Sequence, residues 1–135
     1  MEEFLYKPPT AVVVDDSPEL RLVITSLFKS LGVTAVAARD GESGLALVRE
    51  QHPDIVCLDL MLPTVSGLEV CRSLTQAKDT ADIPVLMVSA RTFPQDRAEA
   101  HRAGASAYLT KPINRSDFLV TVRSLLWRRQ AAVGA

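Results

Sequence analysis

The stretch Asp54-Ile55-Val56-Cys57-Leu58-Asp59-Leu60-Met61-Leu62-Pro63 decides the fold of this chain. The unbroken apolar run over residues 55–58 is what a strand covered on both faces of a parallel sheet requires. It delivers an acid, Asp59, to the carboxyl end of that strand. In open α/β sheets those ends border the crevice that takes ligands, so Asp59 stands where chemistry is done. Alone, the same acid reads equally well as a cap or turn residue ahead of Pro63. The other strands have to decide.

Upstream, Ala11-Val12-Val13-Val14 is a second short β-branched run, and it too ends in acid, at Asp15-Asp16-Ser17-Pro18. Pro18 suits the first position of a helix capped by Ser17 or Asp16, with Leu20, Val23, Ile24, Leu27, Phe28 and Leu31 forming one apolar stripe closed by Gly32. A cap uses one group only. Two adjacent carboxylates beside a strand end are costly unless a cation is bound. Residues 33–38 predict a second strand ending in Arg39 and the cap Asp40, followed by a helix over 42–51 with Leu45 and Val48 inward. Nothing reactive marks that end.

Downstream, Ser66 and Gly67 start a helix through Leu68, Cys71 and Leu74, and Pro84-Val85-Leu86-Met87-Val88 predicts a strand ending in Ser89. A helix over about 95–103 stops at Gly104, Ala107-Tyr108-Leu109 forms a short strand leading to Thr110-Lys111-Pro112, and the last helix spans about 116–129. The pattern predicts an α/β fold: a flavodoxin-like, doubly wound, five-stranded parallel sheet in the order 2-1-3-4-5 with helices on both faces. In that order the unmarked second strand lies at the edge, and the acids, the hydroxyl and the lysine converge. Singly, Asp16 reads as a cap, Ser89 as a turn residue and Lys111 as a solvated amine. Together, the carboxylates can hold a hard divalent ion through oxygen, and Lys111 and Ser89 can hold a phosphoryl group.

At 135 residues the chain fits one domain, expected over 11–129 with an arm at 1–10 and a tail at 130–135. With 47% hydrophobic and 23% charged residues and a net charge of -1, nothing electrostatic favours nucleic acid or an anionic membrane. Proteins and small molecules are the expected partners. The first residues are acidic and too briefly apolar for a signal peptide, and no apolar run approaches about 18 residues, which points to the cytoplasm. Cys57 and Cys71 fall on apolar stretches and read as reduced core residues.

The set Asp15-Asp16, Asp59 within DLMLP, Ser89-Ala90, and Tyr108 within YLTKP resembles the receiver domain of two-component response regulators, over residues from about 11 to 128. That resemblance implies phosphoryl transfer from a histidine kinase or phosphotransfer protein onto Asp59. It implies Mg²⁺ (or Mn²⁺) bound by Asp15, Asp16, Asp59 and the main-chain carbonyl of Met61. It gives Lys111 the phosphoryl contact, a cis bond to Pro112, and a switch formed by Ser89 and Tyr108. Phosphorylation would draw the Ser89 hydroxyl inward and let the Tyr108 ring turn from solvent toward the core. The chain departs from many receivers in carrying Ser66 where they carry Asp, and either residue caps a helix.

Other classes fit less well. An aspartyl phosphatase or mutase needs a second acid two residues after the first, where this chain has Met61. A flavin carrier needs a Ser/Thr/Gly-rich phosphate loop after strand one, where Asp15-Asp16 would repel phosphate. A receiver-like interaction module that is never phosphorylated is the alternative function, and its usual signature, loss of the acids or the lysine, is missing. In the last helix, Phe118, Leu119, Val122, Leu125 and Leu126 gather into one stripe facing the sheet. Val120 and Trp127 project from nearly the opposite side, as a candidate contact for a homodimer or an output protein, with Arg123, Arg128 and Arg129 as its rim.

Overall fold

The computed structural model describes residues 7–134, so most of the expected N-terminal arm lies outside the described residues. Five strands and five helices alternate: β1 Thr10–Val14, α1 Pro18–Ser30, β2 Thr34–Ala38, α2 Gly41–Gln51, β3 Ile55–Asp59, α3 Gly67–Gln76, β4 Val85–Ser89, α4 Pro94–Arg102, β5 Ala107–Thr110 and α5 Arg115–Gly134. The strands form one parallel sheet in the order β2-β1-β3-β4-β5. β3 sits at its centre, with Val56 opposite Val12 on one side and Val85 on the other. That position explains its sequence: all of its residues are buried, as a strand covered on both faces demands. The edge strand β2 leaves most of its residues in solvent, and it is the one strand whose end carries no reactive group.

Alternation along each strand divides the core in two. Val12, Val14, Val56, Leu58, Val85 and Met87 face α2, α3 and α4, packing on Val48, Val70, Cys71, Leu74 and Ala100. Ala11, Val13, Ile55, Cys57, Leu86 and Val88 face α1 and α5, meeting Ile24, Phe28, Phe118 and Val122. The rings of Phe28 and Phe118 join those two helices edge to face, with centroids 5.2 Å apart. Cys57 and Cys71 are both buried and unpaired.

Helix starts follow the capping chemistry of the sequence. Ser17 Oγ accepts from Leu20 N at 3.2 Å, Asp40 Oδ1 from Ser43 N at 2.8 Å, and Ser66 Oγ from Glu69 N at 3.3 Å. Ser17, and not Asp16, therefore caps α1. Several details differ from the sequence reading, beyond one-residue shifts at the ends of β2, α2, β4 and α4. Val23 is exposed, because it lies about 100° around α1 from the buried Ile24, at the rim of the stripe. Asn114 Oδ1 accepts from Asp117 N at 3.0 Å, so α5 begins at Arg115 and not at Ser116. The same helix continues past 129 to Gly134. Arg129 fastens it to the base of the sheet, with Nε 3.4 Å from Asp54 Oδ1 and an Nη1 3.2 Å from Asp82 Oδ2.

Candidate phosphoryl-transfer site

Four strand ends meet at one edge of the sheet. Asp15 and Asp16 follow β1, Asp59 closes β3, Ser89 closes β4, and Lys111 follows β5. The lysine is carried in by an extension of strand pairing, since its amide donates to the Ser89 carbonyl at 2.8 Å. Its side chain then crosses the crevice, placing Nζ 2.9 Å from Asp59 Oδ2 and 3.0 Å from Asp15 Oδ2. Asp59 is 5% exposed and Asp15 1%, whereas Asp16 is exposed and has no hydrogen-bond or ion-pair partner among the described residues. The other oxygens of the buried pair are held by the backbone: Met61 N donates to Asp59 Oδ1 and Ser17 N to Asp15 Oδ1, each at 2.9 Å.

The helix after β3 is what allows so tight a loop. Gly67 N donates to the Leu60 carbonyl at 2.9 Å, and a Cβ on Gly67 would collide with the Asp59 carbonyl and stand 2.7 Å from Leu60 Cα. Only a residue without a side chain brings the start of α3 this close to the backbone that aims Asp59.

The site holds more negative charge than it neutralises. Burial pushes the Asp59 pKa up, against the opposing pull of the Lys111 hydrogen bond and the Met61 amide, and Asp15 adds a smaller push in the same direction. For Lys111, burial favours the neutral amine, but hydrogen bonds and charge from Asp59 and Asp15 together outweigh it and raise its pKa. One ammonium thus serves a cluster of acids. Asp15, Asp16 and Asp59 each offer an oxygen within 4.8 Å of the others. An all-oxygen, net-anionic donor set of this kind fits a hard divalent cation. By contrast, Cys57 beneath the site has its thiol pKa pushed far up by burial, and Cys71 is pushed up to about 11, so neither is a nucleophile.

Ser89 and Tyr108 are joined through one residue that the sequence reading missed. The Arg91 amide donates to Ser89 Oγ at 3.2 Å, and the Arg91 carbonyl accepts from the Tyr108 hydroxyl at 2.9 Å. Ser89 is fully buried, and the Tyr108 ring is half-buried, turned in against the core cluster that includes Met87 and Ala100. The Arg91 guanidinium reaches Asp96 Oδ1 at 3.6 Å, and Asp96 Oδ2 accepts from Phe93 N at 3.3 Å at the start of α4. Beside the acids a cleft of about 530 Å³ opens between Asp16, Met61, Leu62, Ser66, Arg91 and Asp96. Arg91 and Asp96 belong to no motif of their own, and only the folded β4–α4 turn brings them here. Val120 and Trp127 lie apart from this site, on the outward face of α5, 65% and 73% exposed.

An acidic crevice at the topological switch point of a 2-1-3-4-5 sheet, spanned by a lysine, defines a class of signalling domains that accept phosphoryl groups. The family profile of the response regulator receiver domain matches residues 11–123, and the chain belongs to that family. It is 34% identical over 115 residues to PilH of Pseudomonas aeruginosa, covering 85% of this chain and 95% of that protein. It is 40% identical over 120 residues to RpaA of Synechocystis, a DNA-binding transcriptional regulator, covering 89% of this chain but 50% of that protein. Some relatives are therefore about this size, and of others the chain spans about half. Among solved structures, a response regulator from Chloroflexus aurantiacus superposes with a TM-score of 0.85 at 28% identity, over 89% of this chain and 98% of that one.

Proposed function

We propose that Asp59 is the phosphoacceptor of this receiver. A histidine kinase or phosphotransfer protein donates the group: a carboxylate oxygen of Asp59 attacks phosphorus, the phosphorus–nitrogen bond to the donor imidazole breaks, and the imidazole leaves with a proton. The observation that carries this reading is the 2.9 Å contact between Lys111 Nζ and Asp59 Oδ2 in a site of three clustered acids. Lys111 opposes the effect of burial by favouring the ionised form of Asp59, and it stands ready to pair with the charge of the incoming phosphoryl oxygens. Burial leaves the Asp59 carboxylate more basic than an ordinary one, which favours attack once it is ionised. Mg²⁺ (or Mn²⁺), held by Asp15, Asp16, Asp59 and the main-chain carbonyl of Met61, would neutralise negative charge on the transferred group.

Ser89 and Tyr108 form the switch in this reading, coupled through Arg91. The chain is a phosphoacceptor in the cytoplasm and not a turnover enzyme, acting alone or within a longer regulator. Val120 and Trp127 offer the last helix to a second copy or an output protein, with no direct contact to nucleic acid or membrane. Among the described residues no helix is long and apolar enough to cross a membrane.

Incubation with acetyl phosphate and Mg²⁺ followed by intact mass measurement tests the proposal. The wild type gains one phosphoryl group, and Asp59→Asn gains none. Equal labelling of the two proteins would place the acceptor elsewhere.

A further inference from the structure

Arg97, on the second turn of α4, is a residue that no motif singles out. Its guanidinium carbon lies 5.0 Å from the centroid of the Tyr108 ring, over its face, and Nη1 approaches the Tyr108 carbonyl at 3.5 Å. That carbonyl contact is at the long limit of a hydrogen bond, so the ring stack is the stronger tie. Arg97 is exposed and has no carboxylate partner among the described residues, so its cation is directed to the ring by geometry and not shared with an acid. Tyr108 is thereby held on three sides. Its inner face packs on the core cluster, its hydroxyl donates to the Arg91 carbonyl, and its outer face is covered by Arg97.

We propose that Arg97 is a positioning residue for Tyr108, a cationic cover that favours the turned-in ring and so sets how readily the receiver responds to phosphorylation. The inference rests on the reading of Tyr108 as the switch residue. Its physical basis is linkage. If phosphorylation favours the turned-in ring, any contact made only in that orientation strengthens binding of the phosphoryl group, and the group strengthens that contact equally. A cation over a tyrosine face at a partly exposed position is worth a factor of about two to five in such an equilibrium. Arg97 touches neither Asp59 nor the acid cluster, so it can tune the response without entering the chemistry.

The test uses beryllium fluoride with Mg²⁺ as a phosphoryl mimic and 3-fluorotyrosine as a label, with the signal of Tyr6 identified by Tyr6→Phe. In the wild type the Tyr108 fluorine signal responds to the mimic. In Arg97→Ala the unliganded signal moves away from its wild-type position, and the midpoint for the mimic rises about two- to fivefold. Arg97→Lys, which keeps the charge but loses the planar stack, falls between them. The decisive control is Arg97→Ala in a Tyr108→Leu background, with the midpoint for the mimic read by calorimetric titration in both backgrounds; without the ring it does not change further. A rise of the same size without the ring would mean that Arg97 acts only as a distant positive charge, and would overturn the proposal. A wild-type Tyr108 signal that ignores the mimic would overturn the switch reading and this inference with it. A signal that responds in the wild type, with Arg97→Ala matching it in position and midpoint, would remove Arg97 alone.

Discussion

A hydrogen bond of 2.9 Å ties Lys111, beyond the end of β5, to Asp59 at the end of β3. The bond spans 52 residues of sequence and crosses the crevice that would admit a phosphoryl group. Lys111 also reaches Asp15 at 3.0 Å, leaving the exposed Asp16 without a cation among the described residues. The fold holds together at this edge by sharing one ammonium between two buried acids, an arrangement suited to function more than to stability.

That imbalance predicts the effect of Asp59→Asn on stability. The folded pKa of Asp59 lies above its unfolded value, so the folded chain holds this proton more tightly. As pH rises from the unfolded value through the folded one, the wild type therefore loses stability at this group. Asn does not titrate. Asp59→Asn should match the wild type in acid and become the more stable protein as pH rises toward neutrality, in melts recorded without divalent ions. A variant that is less stable at pH 7 and unchanged in acid would reverse the sign of the argument.

Much of this was legible in the sequence because it depends on local pattern. The buried run before Asp59, the acids after Val14 and the cap residues Ser17, Asp40 and Ser66 each act within a few residues of themselves. The strand order followed from the one unmarked strand end. What the sequence could not give was side-chain pairing across elements. The hydrogen bonds of Arg91 to Ser89 and Tyr108, and the stack of Arg97 on Tyr108, are set by how α4 docks beside β5. Gly67 was visible as a helix start, but its reason, contact with the backbone of Asp59, was not. Nor did spacing signal the tie from Arg129 of α5 to Asp54 and Asp82.

Gly67→Ala tests that close contact. The new methyl group has backbone on its near side, the Asp59 carbonyl and Leu60 Cα, and backbone cannot rotate away as a side-chain tip can. Overpacking of this kind costs about 1–3 kcal/mol. Because the displaced atoms carry Asp59 itself, the initial rate of labelling by acetyl phosphate should fall along with the urea midpoint. Loss of stability with an unchanged labelling rate would show that α3 moves as a whole and spares the site.

The two acids after β1 should separate in the same way. Asp15 spends one oxygen on Ser17 N and the other on Lys111, while Asp16 is exposed. Asp15→Ala should therefore cost about 1–3 kcal/mol of folding stability, by stripping partners from a buried amide and a lysine. Asp16→Ala should stay within about 0.5 kcal/mol. For Mg²⁺ the order reverses: the free oxygens of Asp16 are the ones open to direct coordination, so calorimetric titration should show the larger loss of affinity in Asp16→Ala. Equal losses of affinity would mean that both acids are equivalent ligands.

The last prediction concerns the outer face of α5. Phe118, Val122 and Leu125 are buried against the sheet, and Val120 and Trp127 stand on the other side at 65% and 73% exposure. The indole also walls a groove of about 430 Å³ with Leu126, Arg123, Ser30 and Leu31, at the junction of α5 with the end of α1. A ring so exposed contributes little to the monomer, and Trp127→Ala should change its stability by no more than about 0.5 kcal/mol. A buried tryptophan at the centre of a protein contact is worth about 2 kcal/mol or more, roughly thirtyfold in the association constant. Sedimentation of the wild type and of Trp127→Ala, each with and without beryllium fluoride, separates these contributions. We expect the variant to associate more weakly while melting at the wild-type temperature. A large fall in melting temperature with assembly unchanged would show instead that the indole folds back onto the Ser30 and Leu31 wall in solution and belongs to the monomer.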